Sequence, residues 1–445
     1  MLKNTVIAAG LGACLAAAPA LAQDDATGTL ITNARIFDGV NADLIEGQDL
    51  LVQEGRIAAI GADLDVPDGT RVIDADGRFL MPGFADMHAH LMFQMPFGVA
   101  FTSDREYWAY VASTSAKQYL MQGFTTVRDV GGNSFSLKRA IDEGVLVGPR
   151  VYPSGPMISQ SSGHSDHRTD AEQPSTLEFD PSTPMKYFQA AIADGRAEVL
   201  RTVREVLRRR ASQIKISVGG GTGSYADPLD TLQYTADEIR AAVEAAEDWN
   251  TYVTAHAYNS DGIIRAVENG VKSIEHGNLM SEEAMRVMME NDTWLSPQVI
   301  VYTFHPDGYN EEQKARHDEA YDGIDQMFTM AKELGFEKIV FGTDVITSPE
   351  MLARANEEFI FRTEWFDNLE ILRQATSKSA ELLKLSGPRN PYPGDLGVIA
   401  EGAYADLLLI DGNPLQDMSV MTEYEERFDL IMKDGVIYKD TLADD

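Results

Sequence analysis

The sequence predicts an α/β fold: a (β/α)8 TIM-like barrel carrying a small β-sandwich domain formed by both termini. Two observations predict it. In the middle of the chain, strand-like apolar runs at 83–87, 125–129, 150–154, 213–218, 252–255, 272–275, 293–296 and 338–342 alternate with helical runs at 106–121, 136–143, 186–210, 236–249, 260–269, 282–291 and 311–334. Such alternation implies a parallel sheet, and eight strands favour closure into a barrel. At both ends the grammar changes. Short β-branched runs at 29–36, 49–53, 56–60 and 70–74 are divided by Asp38-Gly39, Glu54-Gly55, Asp68-Gly69 and Asp76-Gly77, and runs at 405–410, 429–433 and 436–439 surround Asp434-Gly435. These are hairpin signals. The expected organisation is a leader over 1–22, sandwich over 23–80, barrel over 81–394 and sandwich again over 395–445. Long insertions follow the third strand (158–184) and the seventh (299–310), and loops after barrel strands build active sites.

Composition narrows the function. Of 445 residues, 44% are apolar and 24% charged, a globular balance that excludes fibrous or wholly disordered chains. The formal net charge of −33 opposes nucleic acid and anionic membrane as partners. A single cysteine, Cys14, excludes a disulfide framework and any thiolate-held metal. Any metal must therefore sit on imidazole, carboxylate or a modified side chain, and there are only eight histidines.

The first 23 residues, MLKNTVIAAGLGACLAAAPALAQ, have the layout of a secretory signal peptide, with Ala20-Leu21-Ala22 at the cleavage site. Alternatives are an uncleaved anchor, which Pro19 interrupts, and a lipobox at Cys14, before which the apolar stretch is very short. No later segment reaches about 18 uninterrupted apolar residues, so no further span is expected. The implied compartment is the periplasm or the medium, with no stable membrane association after cleavage.

Ionisable residues end the predicted strands. His88 and His90 close the first in Asp86-Met87-His88-Ala89-His90; two residues apart in an extended chain, they point to one side. His256 ends the fifth strand, His276 the sixth and Asp344 the eighth, while Lys215 lies inside the apolar fourth, Ile214-Lys215-Ile216-Ser217. Barrel closure brings these ends to one rim. A buried lysine needs an interior carboxylate, or else chemistry: a neutral amine adds CO2 to give a carbamate able to bridge two cations.

This set resembles the amidohydrolase superfamily, binuclear type with a carboxylated lysine. The phrases Pro82-Gly83-Phe84, Glu275-His276-Gly277-Asn278, Gly342-Thr343-Asp344 and Ala405-Asp406-Leu407 are similar to those of secreted Xaa-Pro, Xaa-Arg and Xaa-Lys dipeptidases and of ochratoxin-hydrolysing amidohydrolases. The resemblance implies two divalent ions, zinc foremost with manganese or cobalt as alternatives. His88, His90 and Asp344 would hold the first, His256 and His276 the second, and N6-carboxylated Lys215 would bridge them. Such a pair activates a bridging water and polarises a carbonyl, giving hydrolysis of an amide in small N-acyl amino acids or dipeptides, ochratoxin-type aryl amides included. Asp344 would be the general base and acid. His164, in Ser162-Gly163-His164-Ser165, would stabilise the oxyanion, and Tyr258 would hold a substrate carboxylate.

Other readings stay on the table. One is a cyclic amide or lactone hydrolase on the same site; another is a non-catalytic scaffold. A mononuclear deaminase is disfavoured, because Asn259 stands where that type carries glutamate. His167 and Arg168 share the loop of His164 and are expected to line the mouth, with His305 a weaker candidate there. His317 reads as solvated on an exposed helix face, the basic run 201–210 as a solvated face with Glu205 interleaved, and Gly219-Gly220-Gly221 as a tight turn without the signature of a phosphate loop. The expected partners are a small-molecule amide substrate and further copies of the chain, since such relatives are often oligomers.

Overall fold

The computed structural model describes residues 27–169, 172, 182–224 and 226–443; the expected leader over 1–22 and part of the 158–184 insertion, residues 170–171 and 173–181, lie outside them. Among the described residues, no helix is long and apolar enough to cross a membrane.

The barrel strands follow the expected order. Phe84–Ala89, Phe124–Asp129 and Arg150–Pro153 form one parallel sheet, and Met157–Ser159, Ile214–Ser217, Val253–Asn259, Ser273–Leu279 and Trp294–Ser296 continue in another. The third strand is thus broken. Its first half pairs with Phe124–Asp129 and its second with Ile214–Ser217. Pro153 and Pro156 lack the N–H a ladder needs, and Gly155 takes φ 73° between them.

The eighth strand, expected over 338–342, is reduced to an isolated bridge between Leu295 and Ile339. Backbone bonds still close the ring: Val340 N–H donates to Leu295 O (3.0 Å), Met87 N–H to Phe341 O (2.9 Å) and Asp344 N–H to His88 O (2.8 Å). The chain leaves the ladder because the buried Asp86 carboxylate captures the Thr343 N–H (3.1 Å) and hydroxyl (2.6 Å). The single helix expected over 186–210 is also corrected. A short helix Thr183–Lys186, a strand Ala190–Ile192 and a helix Arg196–Arg208 occupy it, and Gly195 at φ 80° makes the break.

The sandwich joins the two ends of the chain. Arg56–Gly61, Asp49–Gln53, Thr29–Thr32 and Arg71–Asp74 make one sheet; Val436–Asp440, Phe428–Lys433, Leu407–Ile410, Phe79–Pro82 and Arg35–Ile36 make the other. Period-two alternation lets Leu407–Ile410 serve both domains. Leu407 and Leu409 pack into the sandwich with Ile31, Leu50 and Ile73. Leu408 and Ile410 pack toward the barrel with Phe84 and Phe124. The sandwich is thereby fixed to the barrel by a shared apolar strand, beside the turn that leads into the first barrel strand.

Candidate active site

The strand ends converge on one open cavity of about 690 Å³, solvent at its mouth included, whose wall includes His88, His90, Lys215, His256, His276 and Asp344. His88 Nε2 and His90 Nε2 lie 3.3 and 3.2 Å from Asp344 Oδ1, and His276 Nδ1 lies 3.9 Å from Asp344 Oδ2. His88, His276 and Asp344 each offer a ligand atom within 4.8 Å of the others. The His256 and His276 rings are 4.5 Å apart. Two of these residues adopt left-handed backbone, His276 at φ 73° and Asp344 at φ 49°. That conformation costs a non-glycine residue roughly 1–2 kcal/mol, and such outliers gather where function demands a side chain's direction.

The second nitrogen of each imidazole is accounted for. His90 Nδ1 is 3.3 Å from Gly131 O and His256 Nε2 is 3.0 Å from Gly220 O. A carbonyl only accepts, so these nitrogens carry the proton and the opposite ones keep a free lone pair. His88 Nδ1 lies 2.8 Å from Glu275 Oε2, which leaves its Nε2 free. His276 Nδ1 donates to Gln298 Oε1 (2.8 Å), whose amide is oriented because Gln298 Nε2 donates to Ser296 O (2.5 Å). Acceptors behind every ring are the pattern by which metal-binding histidines are held in one tautomer.

The electrostatics fit the same use. Burial pushes His88 down to about 4 and holds His256 and His276 well below the ordinary histidine range, so these imidazoles are neutral and able to ligate at neutral pH. Lys215 is 3% exposed, and burial lowers its ammonium to about 8 against the pull of Glu275 and Asp344. Burial raises Glu275, but Arg128 and His88 overcome it and keep the carboxyl well below its usual range. Asp344 is likewise raised by burial and brought below its usual range by His88 and His90. Four imidazoles with free lone pairs, a charged carboxylate and an easily deprotonated lysine, all without thiolate, suit borderline divalent cations such as zinc.

Glu275, Gln298 and Tyr302 belong to the site and escaped the sequence reading. Glu275 is fully buried and takes Arg128 Nη2 (2.6 Å) and the Thr254 hydroxyl on Oε1. Tyr302 OH is 3.0 Å from His276 Nδ1 and 2.7 Å from Tyr258 OH. The signal for Glu275 and Arg128 was a charge inside each of two apolar strands. Gln298 and Tyr302 follow the seventh strand in a segment with no periodic pattern.

The loop candidates divide. His164 lines the cavity and its ring stacks on His256 at 3.7 Å and 10°. Tyr258 lines it too, stacked on His276 at 4.8 Å. His167 lines it beside Phe97, with ring centroids 5.8 Å apart, and burial lowers it to about 4. Arg168, expected at the mouth, instead forks onto Asp166 at 2.6 and 2.5 Å, two residues back on the same loop. His305 pairs with Asp318 at 2.8 Å on the surface. His317 corrects the sequence reading: it is 1% exposed, lines the cavity and donates through Nε2 to Val301 O (3.0 Å). In the helix Glu311–Leu334 it continues the buried stripe of Ala320, Ile324, Met327 and Ala331.

Known proteins resemble this chain over most of its length. A curated ochratoxinase of Aspergillus niger is 28% identical over 433 residues, covering 94% of this chain and 88% of its own. A prolidase solved with N-methylphosphonate-L-proline superposes with a TM-score of 0.86 at 34% identity, covering 93% of this chain and all of the other. An Xaa-Pro dipeptidase with methionine bound in its active site gives a TM-score of 0.81 at 30% identity over 93% of this chain and all of its own. With the amidohydrolase family model matching residues 79–439, from the last sandwich strand before the barrel to its last strand after it, the chain belongs to the amidohydrolase family.

Proposed function

We propose that the protein hydrolyses the amide bond of small N-acyl amino acids or dipeptides, using two divalent cations, zinc foremost. In this reading they are held by His88, His90, His256, His276, Asp344 and a carboxylated Lys215. The observation that carries it is the convergence of four imidazoles, each with its second nitrogen occupied, on a carboxylate and a buried lysine in one cavity. A prolidase and an ochratoxinase among the similar proteins support amide bonds ending in an amino acid.

Cations at this site would supply an acidified water and polarise the carbonyl oxygen. The chain's own residues do the rest. Asp344 takes a proton from the attacking water and returns it to the leaving nitrogen, so that one amide and one water give a carboxylic acid and an amine. His164 hydrogen-bonds the oxygen that gains charge. Tyr258, its hydroxyl supported by Tyr302, binds the carboxylate of the leaving amino acid, and His167 closes the wall beside Phe97. The leader-like first residues make the working compartment the periplasm or the medium.

The test is metal content together with a substrate panel. Protein purified with zinc and bicarbonate should hold two equivalents of metal and cleave some N-acyl amino acids or Xaa-Xaa dipeptides, with the leaving residue varied. Absence of metal under those conditions, or two equivalents without hydrolysis across the panel, would overturn the reading.

A further inference from the structure

The loop after the fourth barrel strand carries a carboxylate that the proposed mechanism does not use. Asp227 is 1% exposed. Its Oδ2 lies 3.5 Å from His164 Nδ1 and receives Gln233 Nε2 at 3.3 Å. Its Oδ1 has no hydrogen-bond partner among the described residues. Burying a carboxylate with one oxygen unbonded is costly, and a purely structural role would be better served by an amide or an apolar side chain. The favourable use of Asp227 is the imidazole it faces.

The surroundings hold that geometry from both sides. Gln233 Oε1 accepts the main-chain N–H of His164 (2.9 Å), and Gln160 Oε1 accepts that of Tyr234 (2.5 Å). Each loop thus clasps the other through a glutamine. Ser224 Oγ stands 3.1 Å from His164 Nδ1. Arg316, buried in the helix Glu311–Leu334, donates to the carbonyls of Gly221 (2.9 Å), Ser224 (2.8 Å) and Asp227 (3.0 Å). A Cβ at Gly221 would collide with His164 Nδ1, and one at Gly220 with Pro228 O. The triple glycine therefore lets the loop close against the imidazole rather than serving only as a turn.

We propose that Asp227 is a positioning residue for His164. Its carboxylate, 3.5 Å from Nδ1, draws a proton onto that nitrogen beside the 3.1 Å contact of Ser224 Oγ and so fixes the ring flat on His256; donation to the oxyanion through Nε2 requires that nitrogen to carry a proton as well. This rests on the amide-hydrolase reading for its catalytic consequence, but the ring's orientation can be read without it.

The experiment is a double-mutant cycle with structures of the variants. His164→Ala should lower kcat by about 10²–10³-fold, the usual cost of one oxyanion donor, with two equivalents of metal retained. Asp227→Ala should lower kcat at least tenfold with little change in KM. Asp227→Asn, whose amide oxygen can still accept the Nδ1 proton, should recover most of that loss. The double variant Asp227→Ala/His164→Ala should be no slower than His164→Ala alone, because the carboxylate acts only through the ring. Asp227→Ser, too short to reach Nδ1, replaces Asp227→Ala if the latter does not fold. In crystals of either truncation the His164 ring should leave its stack on His256. A ring that stays in place, additive losses in the cycle, or loss of metal would each overturn the positioning role. Wild-type protein that is inactive on every amide while the ring moves as expected would instead indict the amide-hydrolase reading alone.

Discussion

Lys215→Ala is expected to lose most of its bound metal and to turn over substrate slower by orders of magnitude, while the fold should survive, because the amine projects into the cavity rather than into the apolar core. The reason lies in the burial of this one amine. Forming a carbamate requires the neutral amine: its lone pair bonds to the carbon of CO2 and one proton leaves. An ordinary lysine near 10.5 is almost wholly charged at pH 7. With Lys215 brought down to about 8, roughly a tenth is neutral at that pH, and capture by cations would draw the rest across. The sign of the pH dependence follows. Reconstitution of metal-free protein with zinc and bicarbonate should quicken as pH rises toward 8, and intact mass should show one added CO2. Alanine removes both the amine and the carboxylate it becomes. Short carboxylates such as acetate or propionate fit the space left and should restore part of the activity. Full activity and full metal in Lys215→Ala would remove the carbamate from the reading.

The residues proposed as metal ligands were legible because strand chemistry exposes them. An apolar strand ending in an ionisable residue leaves few interpretations, and His88, His90, His256, His276 and Asp344 each stand at such an end, with Lys215 enclosed by isoleucines. The long helix was equally plain, since Asn310 and Gln313 form a capping box and Gly335 ends it at φ 69°. The misses have physical causes. The eighth strand loses its ladder to a side chain, Asp86, more than 250 residues away, and no local pattern reports that. The third strand's break was written in Pro153-Ser154-Gly155-Pro156, but an apolar run on either side masked it. His317 was hidden by its type: a histidine beside Arg316 and Asp318 looks solvated, although the 3.6-residue stripe through Ala320 and Ile324 runs back to it. Gln298 and Asp227 owe their places to loops, and their importance lies in which nitrogen of a distant imidazole they face.

Asp344→Asn should separate chemistry from assembly. The side chain keeps its shape and one oxygen that can face His88 and His90, whose Nε2 atoms lie 3.3 and 3.2 Å from Oδ1 in the native protein. Much of the metal should therefore remain. What the amide cannot do is take a proton. Removing a general base typically costs 10²–10⁴-fold, and kcat should fall in that range with KM little changed. Two further measurements distinguish the base from a mere contact. Native Asp344 is held below the usual carboxylate range, so its basic form persists on acidification, and the acid limb of the native profile should reflect metal or histidine protonation rather than this carboxyl. The same residue is asked to return the proton to the leaving nitrogen. A substrate whose amine leaves with little need of a proton, such as a nitroanilide, should then lose less in the variant than an alkyl amide does. A fall in kcat of less than about tenfold on alkyl amides would take the proton transfers away from Asp344 and leave it as a ligand alone, and an equal large fall on both substrates would remove only the return of the proton to the leaving nitrogen.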